Sequence, residues 1–160
     1  MIPITRLGHI VLRVADLERS KRFYTELLGM HVLEQDIEHG GVFLGLHDWG
    51  NTLDLLQSSD VSEGGSAYTQ TNRIIGTGLH HAAFALENEA ALRDAYFTLQ
   101  DRGVSILAAL DHRSQLSVYF SDPDGNILEV YWERPDAMEI FRNGRGDADT
   151  PLVFERPKAL

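Results

Sequence analysis

The sequence predicts an α+β fold made of two tandem β-α-β-β-β modules, and three observations carry that prediction. The first is an internal duplication. His9-Ile10-Val11-Leu12-Arg13-Val14 lies over His81-Ala82-Ala83-Phe84-Ala85-Leu86, and Gly50-Asn51-Thr52-Leu53-Asp54 over Gly125-Asn126-Ile127-Leu128-Glu129, at an offset that drifts by only a few residues. The second is the turn-rich run Asp122-Pro123-Asp124-Gly125-Asn126, set between the β-favouring stretches Leu116 to Phe120 and Ile127 to Trp132; it reads as a hairpin. The third is a pair of amphipathic helical stretches, each stopped by a glycine, Gly29 and Gly103.

In chain order, Leu7 to Val14 alternates, with His9, Val11 and Arg13 on one face and Ile10, Leu12 and Val14 on the other, as a half-buried strand does. Asp16 is a good N-cap for a helix through Leu28, whose stripe is Leu17, Phe23, Tyr24, Leu27 and Leu28. Strands follow at Met30 to Gln35, Gly41 to Leu46 and Thr52 to Gln57. Ser58 to Gly76 is polar and aperiodic, a linker or a loop over a site. The pattern then restarts: strand Leu79 to Leu86, helix Glu87 to Arg102, and strands Val104 to Leu110, Leu116 to Ser121 and Ile127 to Trp132. The expected organisation is a first module at 1–58, a linker at 59–77, a second module at 78–134 and a tail at 135–160, forming one compact domain. In the tail, Asp136 to Phe141 reads as a short helix, and Leu152-Val153-Phe154 as a segment that packs on the body or on a second subunit.

Composition narrows the function classes. A net charge of -10 with no basic run argues against a nucleic-acid surface. No apolar run approaches the ~20 residues of a membrane span, and the N-terminus lacks a signal-peptide pattern. Cys 0 excludes disulfides, thiolate ligands and a cysteine nucleophile, and is compatible with the cytoplasmic location expected here.

The chemistry centres on Glu129, a carboxylate in a strand otherwise made of Ile, Leu, Val, Tyr and Trp, where burial is costly without a positive partner. The duplication sets His9 and His81 at one position of equivalent first strands, and Asp54 and Glu129 at one position of equivalent last strands. By alternation His81 shares its face with Ala83 and Ala85, away from the Phe84 and Leu86 side expected to pack on the helix. Glu129 shares its face with Ile127 and Tyr131, and Tyr119 on the neighbouring strand can project into the same hollow. Two imidazoles and a carboxylate, His9, His81 and Glu129, suit non-haem Fe(II) with open positions; Mn, Co, Ni or Zn could take the same ligands. His80 is the rival of His81, and Asp54 a possible further ligand. His31, His39 and His47 fall near turns or strand ends and read as surface groups.

These residues resemble the vicinal oxygen chelate superfamily, which includes glyoxalase I, type I extradiol dioxygenases and fosfomycin-resistance proteins. The resemblance rests on Gly8 to Val14 with Asp16-Leu17-Glu18-Arg19-Ser20 and Phe23-Tyr24, on Leu79-His80-His81-Ala82-Ala83-Phe84, and on Tyr119 to Asn126 through Glu129; it covers about residues 6 to 134. It implies paired modules closing a cup-shaped mixed sheet around a divalent metal, which the substrate chelates through neighbouring oxygens. Within the superfamily the second half is most similar to small catechol 2,3-dioxygenase-type proteins, because Asp111-His112 and Ser117-Val118-Tyr119-Phe120 resemble their active-site His and Tyr. That likeness implies Fe(II) on His9, His81 and Glu129, a catalytic Tyr119 that donates a hydrogen bond to substrate, and a catalytic His112 that orients or protonates it. The implied partners are a vicinal diol, O2 and a second copy of the chain in a homodimer. The larger extradiol enzymes carry a further acid–base histidine upstream of the second metal histidine; Gly64 to Gly78 contains none.

Two other function classes stay open. One is a glyoxalase-like lyase or isomerase with Ni, Co or Zn, in which Asp54 fills the fourth ligand position and Arg13 is the candidate anion anchor. The other is a metal-free small-molecule binding module, against which the intact His9, His81 and Glu129 set argues.

Overall fold

The computed structural model describes residues 2–36, 40–58, 79–144, 146 and 149–156. The expected linker at 59–77, with Tyr68 and Asn72, lies outside the described residues, as does His39. The chain divides into two compact units, Met1–Gly64 and Gly65–Leu160.

In the first unit β1 (Ile10–Val14) leads to α1 (Leu17–Arg22), a π-helical turn (Phe23–Leu27), then β2 (His31–Asp36), β3 (Gly41–Gly45) and β4 (Asn51–Gln57). Asp16 caps α1 as expected, its Oδ1 accepting from the Arg19 N–H at 2.9 Å. The helical stretch ends at Gly29, whose φ of 69° only glycine adopts freely. The single long helix expected there is instead α followed by π, and the wider π turn carries Tyr24, which is fully buried. The sheet order is β1-β4-β3-β2, with β1 parallel to β4 and the other pairs antiparallel. Leu12, Val14, Val42, Leu44, Leu53 and Leu55 are buried, and α1 packs on β3 and β4. Each such leucine or valine stabilises the fold by about 1.5–3 kcal/mol relative to an exposed one.

The second unit repeats the plan with β5 (Ala82–Ala85), α2 (Glu89–Asp101), β6 (Ile106–Asp111), β7 (Gln115–Ser121) and β8 (Ile127–Glu133). Asn88 caps α2 through its Oδ1, and Leu92 and Leu99 are the buried side of a helix that packs on β7 and β8. Leu116, Val118, Phe120, Leu128 and Val130 complete that core. The hairpin expected between β7 and β8 is present. Asp122 accepts the N–H groups of Asp124 and Asn126 at 2.9 and 2.8 Å, and Gly125 turns with φ 83°. The short helix expected in the tail is α3 (Ala137–Arg142), after which β9 (Thr150–Pro151) adds to the free edge of β6. The second sheet therefore runs β5-β8-β7-β6-β9.

The two modules are thus as expected, but among the described residues the strands do not join in a single mixed sheet. The strands form one four-stranded and one five-stranded open sheet. The physical reason is local: β1 and β5, the two first strands, each find a parallel partner inside their own module, and each sheet is complete with the strands of one repeat plus, in the second, β9.

Candidate active site

The register of the two sheets repeats to the residue. Val11 lies opposite Asp54 on the parallel β1–β4 pair, and Ala83 opposite Glu129 on the parallel β5–β8 pair. Each histidine sits immediately ahead of its strand and two residues before that partner, so His9 shares a face with Val11, and His81 with Ala83. The outcome is one histidine–carboxylate pair per unit.

The pair in the second unit is close. His81 Nε2 is 2.9 Å from Glu129 Oε2, and Glu129 is only 2% exposed. Its other oxygen, Oε1, accepts from Gln115 Nε2 at 3.0 Å. On the far side of the ring, His81 Nδ1 meets His80 Nδ1 at 2.7 Å. Partial burial, and then His81, push the His80 imidazole below its ordinary value, with Glu129 acting in the opposite sense.

Tyr119 is directly opposite Glu129 across the β7–β8 ladder and packs edge-on against the His81 ring. Burial, followed by the charge of Glu129 and a bond to its carboxylate, holds the Tyr119 phenol well above the ordinary tyrosine range. The hydroxyl also lies 3.0 Å from His112 Nε2. His112 follows β6 in a tight turn, where Arg113 adopts a left-handed φ of 67°, uncommon for a side-chain-bearing residue. The Arg113 N–H donates to Asp111 Oδ1, and Arg134 Nη2 to Asp111 Oδ2, both at 2.8 Å, which fixes the turn. The β6–β7 hairpin thus brings together two groups seven residues apart.

The pair in the first unit is looser. His9 Nε2 is 3.6 Å from Asp54 Oδ2, too long for a hydrogen bond. Asp54 is 5% exposed, and its Oδ1 is buried with no hydrogen-bond partner among the described residues. An acceptor left in that state is costly unless a further group satisfies it. Among the described residues no group of three or more His, Asp and Glu side chains is gathered to hold a metal ion.

The donor types nevertheless suit one. Imidazole and carboxylate are both ligand types for a divalent ion, and His81 and Glu129 stand 2.9 Å apart.

Residues 6–130 match the Glyoxalase/Bleomycin resistance protein/Dioxygenase superfamily. The chain belongs to that superfamily. Biphenyl-2,3-diol 1,2-dioxygenase 2 of Rhodococcus globerulus is 25% identical to it over 155 residues, covering 95% of this chain and 77% of the relative. Catechol-2,3-dioxygenase of Bacillus subtilis (strain 168) is 33% identical over 131 residues, 82% of this chain and 42% of the relative, so the chain spans less than half of that protein's length. The crystal structure of a glyoxalase/dioxygenase from Nostoc punctiforme aligns with a TM-score of 0.69 at 23% identity, over 84% of this chain and 96% of that one, a likeness of fold. These matches establish the superfamily without singling out one reaction within it.

Two residues that bond these side chains escaped the sequence reading. Gln115, which holds Glu129, shares the parity of Ser117 and Tyr119 on β7 and could have been found by alternation. Asp149, whose Oδ1 is 2.8 Å from His112 Nδ1, carries no sequence signal, since 37 residues separate the two. His31 and His47 are exposed, as expected. No helix among the described residues is long and apolar enough to cross a membrane.

Proposed function

We propose that the chain is an extradiol ring-cleaving dioxygenase that acts on a catechol-type diol and uses His9, His81 and Glu129 to hold Fe(II). The observation that carries this reading is the His81–Glu129 pair, flanked on its own face by Tyr119 and, through Tyr119, by His112. The names of the Rhodococcus and Bacillus relatives, both dioxygenases of aromatic diols, support it. Bound Fe(II) supplies the open coordination positions and redox chemistry through which O2 and a diol can react.

The chain's own groups bind, orient and handle protons. Gln115 holds one oxygen of Glu129 and leaves the other beside His81, so the carboxylate is aimed before any ion arrives. His80 caps the far nitrogen of His81 and fixes its ring. Tyr119 keeps its proton at neutral pH and offers a hydroxyl to a diol bound against Glu129. His112 Nε2, in hydrogen-bond range of that hydroxyl, can take or return a proton. Ala83 and Ala85, small and exposed beside His81, leave room for an aromatic ring.

A second reading, a glyoxalase-like lyase or isomerase, is favoured by one observation, the orphaned Oδ1 of buried Asp54. A carboxylate there is a natural fourth ligand and could handle a substrate proton without O2. Anaerobic titration with Fe(II), Mn(II) and Zn(II) separates the two. Under the dioxygenase reading His9→Ala, His81→Ala and Glu129→Ala each abolish metal uptake, and Asp54→Asn leaves it within a few-fold. Loss of uptake in Asp54→Asn would transfer the assignment to the lyase class.

A further inference from the structure

The C-terminal segment returns along the second sheet and supplies a side chain that the chemistry above leaves unused. Thr150 and Pro151 pair with Asp111 and Leu110, and the Leu152 N–H donates to the Ala109 carbonyl at 2.9 Å. Phe154 stacks against Tyr96 at 5.0 Å between ring centroids, while Arg156 lies over Phe97 and bonds Asp101. Anchored on both β6 and α2, the segment holds Asp149 directly before β9, with Oδ1 2.8 Å from His112 Nδ1. His112 is 8% exposed, and its other nitrogen faces Tyr119 at 3.0 Å.

We propose that Asp149 is a positioning residue that holds His112 as the Nδ1–H tautomer, making Nε2 the acceptor for the Tyr119 proton. A carboxylate only accepts, so the ring nitrogen facing it must carry hydrogen; in a neutral imidazole the other nitrogen is then a bare lone pair. Tyr119 has a single proton and two neighbours able to receive it, the Glu129 carboxylate and His112. Asp149 biases that choice toward His112 and frees a phenol lone pair to accept from a ligand hydroxyl.

The functional consequence rests on the dioxygenase reading. A diol hydroxyl facing Tyr119 gives its proton to the phenol oxygen as the phenol's own proton passes to Nε2. The ligand becomes an oxyanion and His112 an imidazolium facing the Asp149 carboxylate, with no net electron transfer. The device selects ligands whose hydroxyl is a good proton donor, as an aromatic diol is.

The test is 15N NMR of histidine-labelled, metal-free protein, with His112 assigned by its loss in His112→Gln. The expected spectrum has Nδ1 protonated and Nε2 bare in the native chain, and a mixed or reversed pattern in Asp149→Ala, with the far-ultraviolet circular dichroism unchanged. In Fe(II)-loaded protein the same substitution lowers kcat on catechols by roughly 100-fold, the lower end for a positioned proton acceptor, with KM little changed and partial rescue in Asp149→Glu. A protonated Nε2 in the native chain, or an unchanged tautomer in Asp149→Ala, overturns the proposal. If the tautomer behaves as expected but no catechol is turned over, the positioning role stands and the dioxygenase reading fails. If catechols are cleaved equally by Asp149→Ala, the reverse holds.

Discussion

His81 and Glu129 meet at 2.9 Å across neighbouring parallel strands, and the carboxylate is almost completely removed from solvent. Three partners, His81, Gln115 and Tyr119, compensate for taking that charge out of water. Removing the imidazole in His81→Ala leaves the buried carboxylate short of one of them. Metal-free His81→Ala should therefore lose about 1–3 kcal/mol of stability, read from urea denaturation midpoints. His9→Ala, whose partner is 3.6 Å away, should lose much less.

His80 and His81 should separate cleanly in a metal titration. His81 faces the carboxylate and His80 meets the far nitrogen of His81, so His80 acts as an outer partner. His80→Ala should weaken metal affinity by roughly 10–100-fold without changing the number of ions bound, whereas His81→Ala should abolish binding. Equal losses in both variants would make His80 a ligand.

Most of this arrangement was legible in the sequence, and the reason is strand parity. The duplication gave equivalent positions for His9 and His81 and for Asp54 and Glu129, and the period of two put Tyr119 on the face of Glu129. The register bears this out at Val11–Asp54, Ala83–Glu129 and Tyr119–Glu129. What stayed hidden depends on contacts with no period. Asp149 reaches His112 only because β9 adds to β6, and the break from α to π geometry at Phe23 has no signature in an apolar stripe that suits either helix. The expectation of one continuous sheet differs from the two sheets seen for a related reason: a strand's inward face can be read from alternation, but which sheet it joins cannot.

Asp54 should be a stability liability in the absence of metal. Its Oδ1 is buried without a partner among the described residues, while Phe43 lies directly across the β3–β4 ladder. Asp54→Leu should raise the stability of metal-free protein by about 1–3 kcal/mol, the cost of an unsatisfied buried group. A fall in the denaturation midpoint would mean that a further group satisfies the carboxylate in solution.

Tyr119 sets an alkaline limit. Its phenol is raised first by burial and then by Glu129, so the folded state holds the proton more tightly than the unfolded chain. The resulting stabilisation is intact below about pH 10, the ordinary tyrosine value, and is lost as pH rises from there toward the folded value. Metal-free Tyr119→Phe should show a flatter decline in stability over that alkaline window, measured by chemical denaturation at stepped pH. An identical decline in both proteins would place the Tyr119 hydroxyl in a solvent-like environment.

Oxygen uptake during turnover of a small catechol panel, after anaerobic Fe(II) reconstitution, decides whether the protein cleaves diols. One equivalent of O2 consumed per diol, a ring-opened product, and loss of both signals in Glu129→Ala are expected. Tight Fe(II) binding with no O2 consumed on any catechol would contradict the dioxygenase reading.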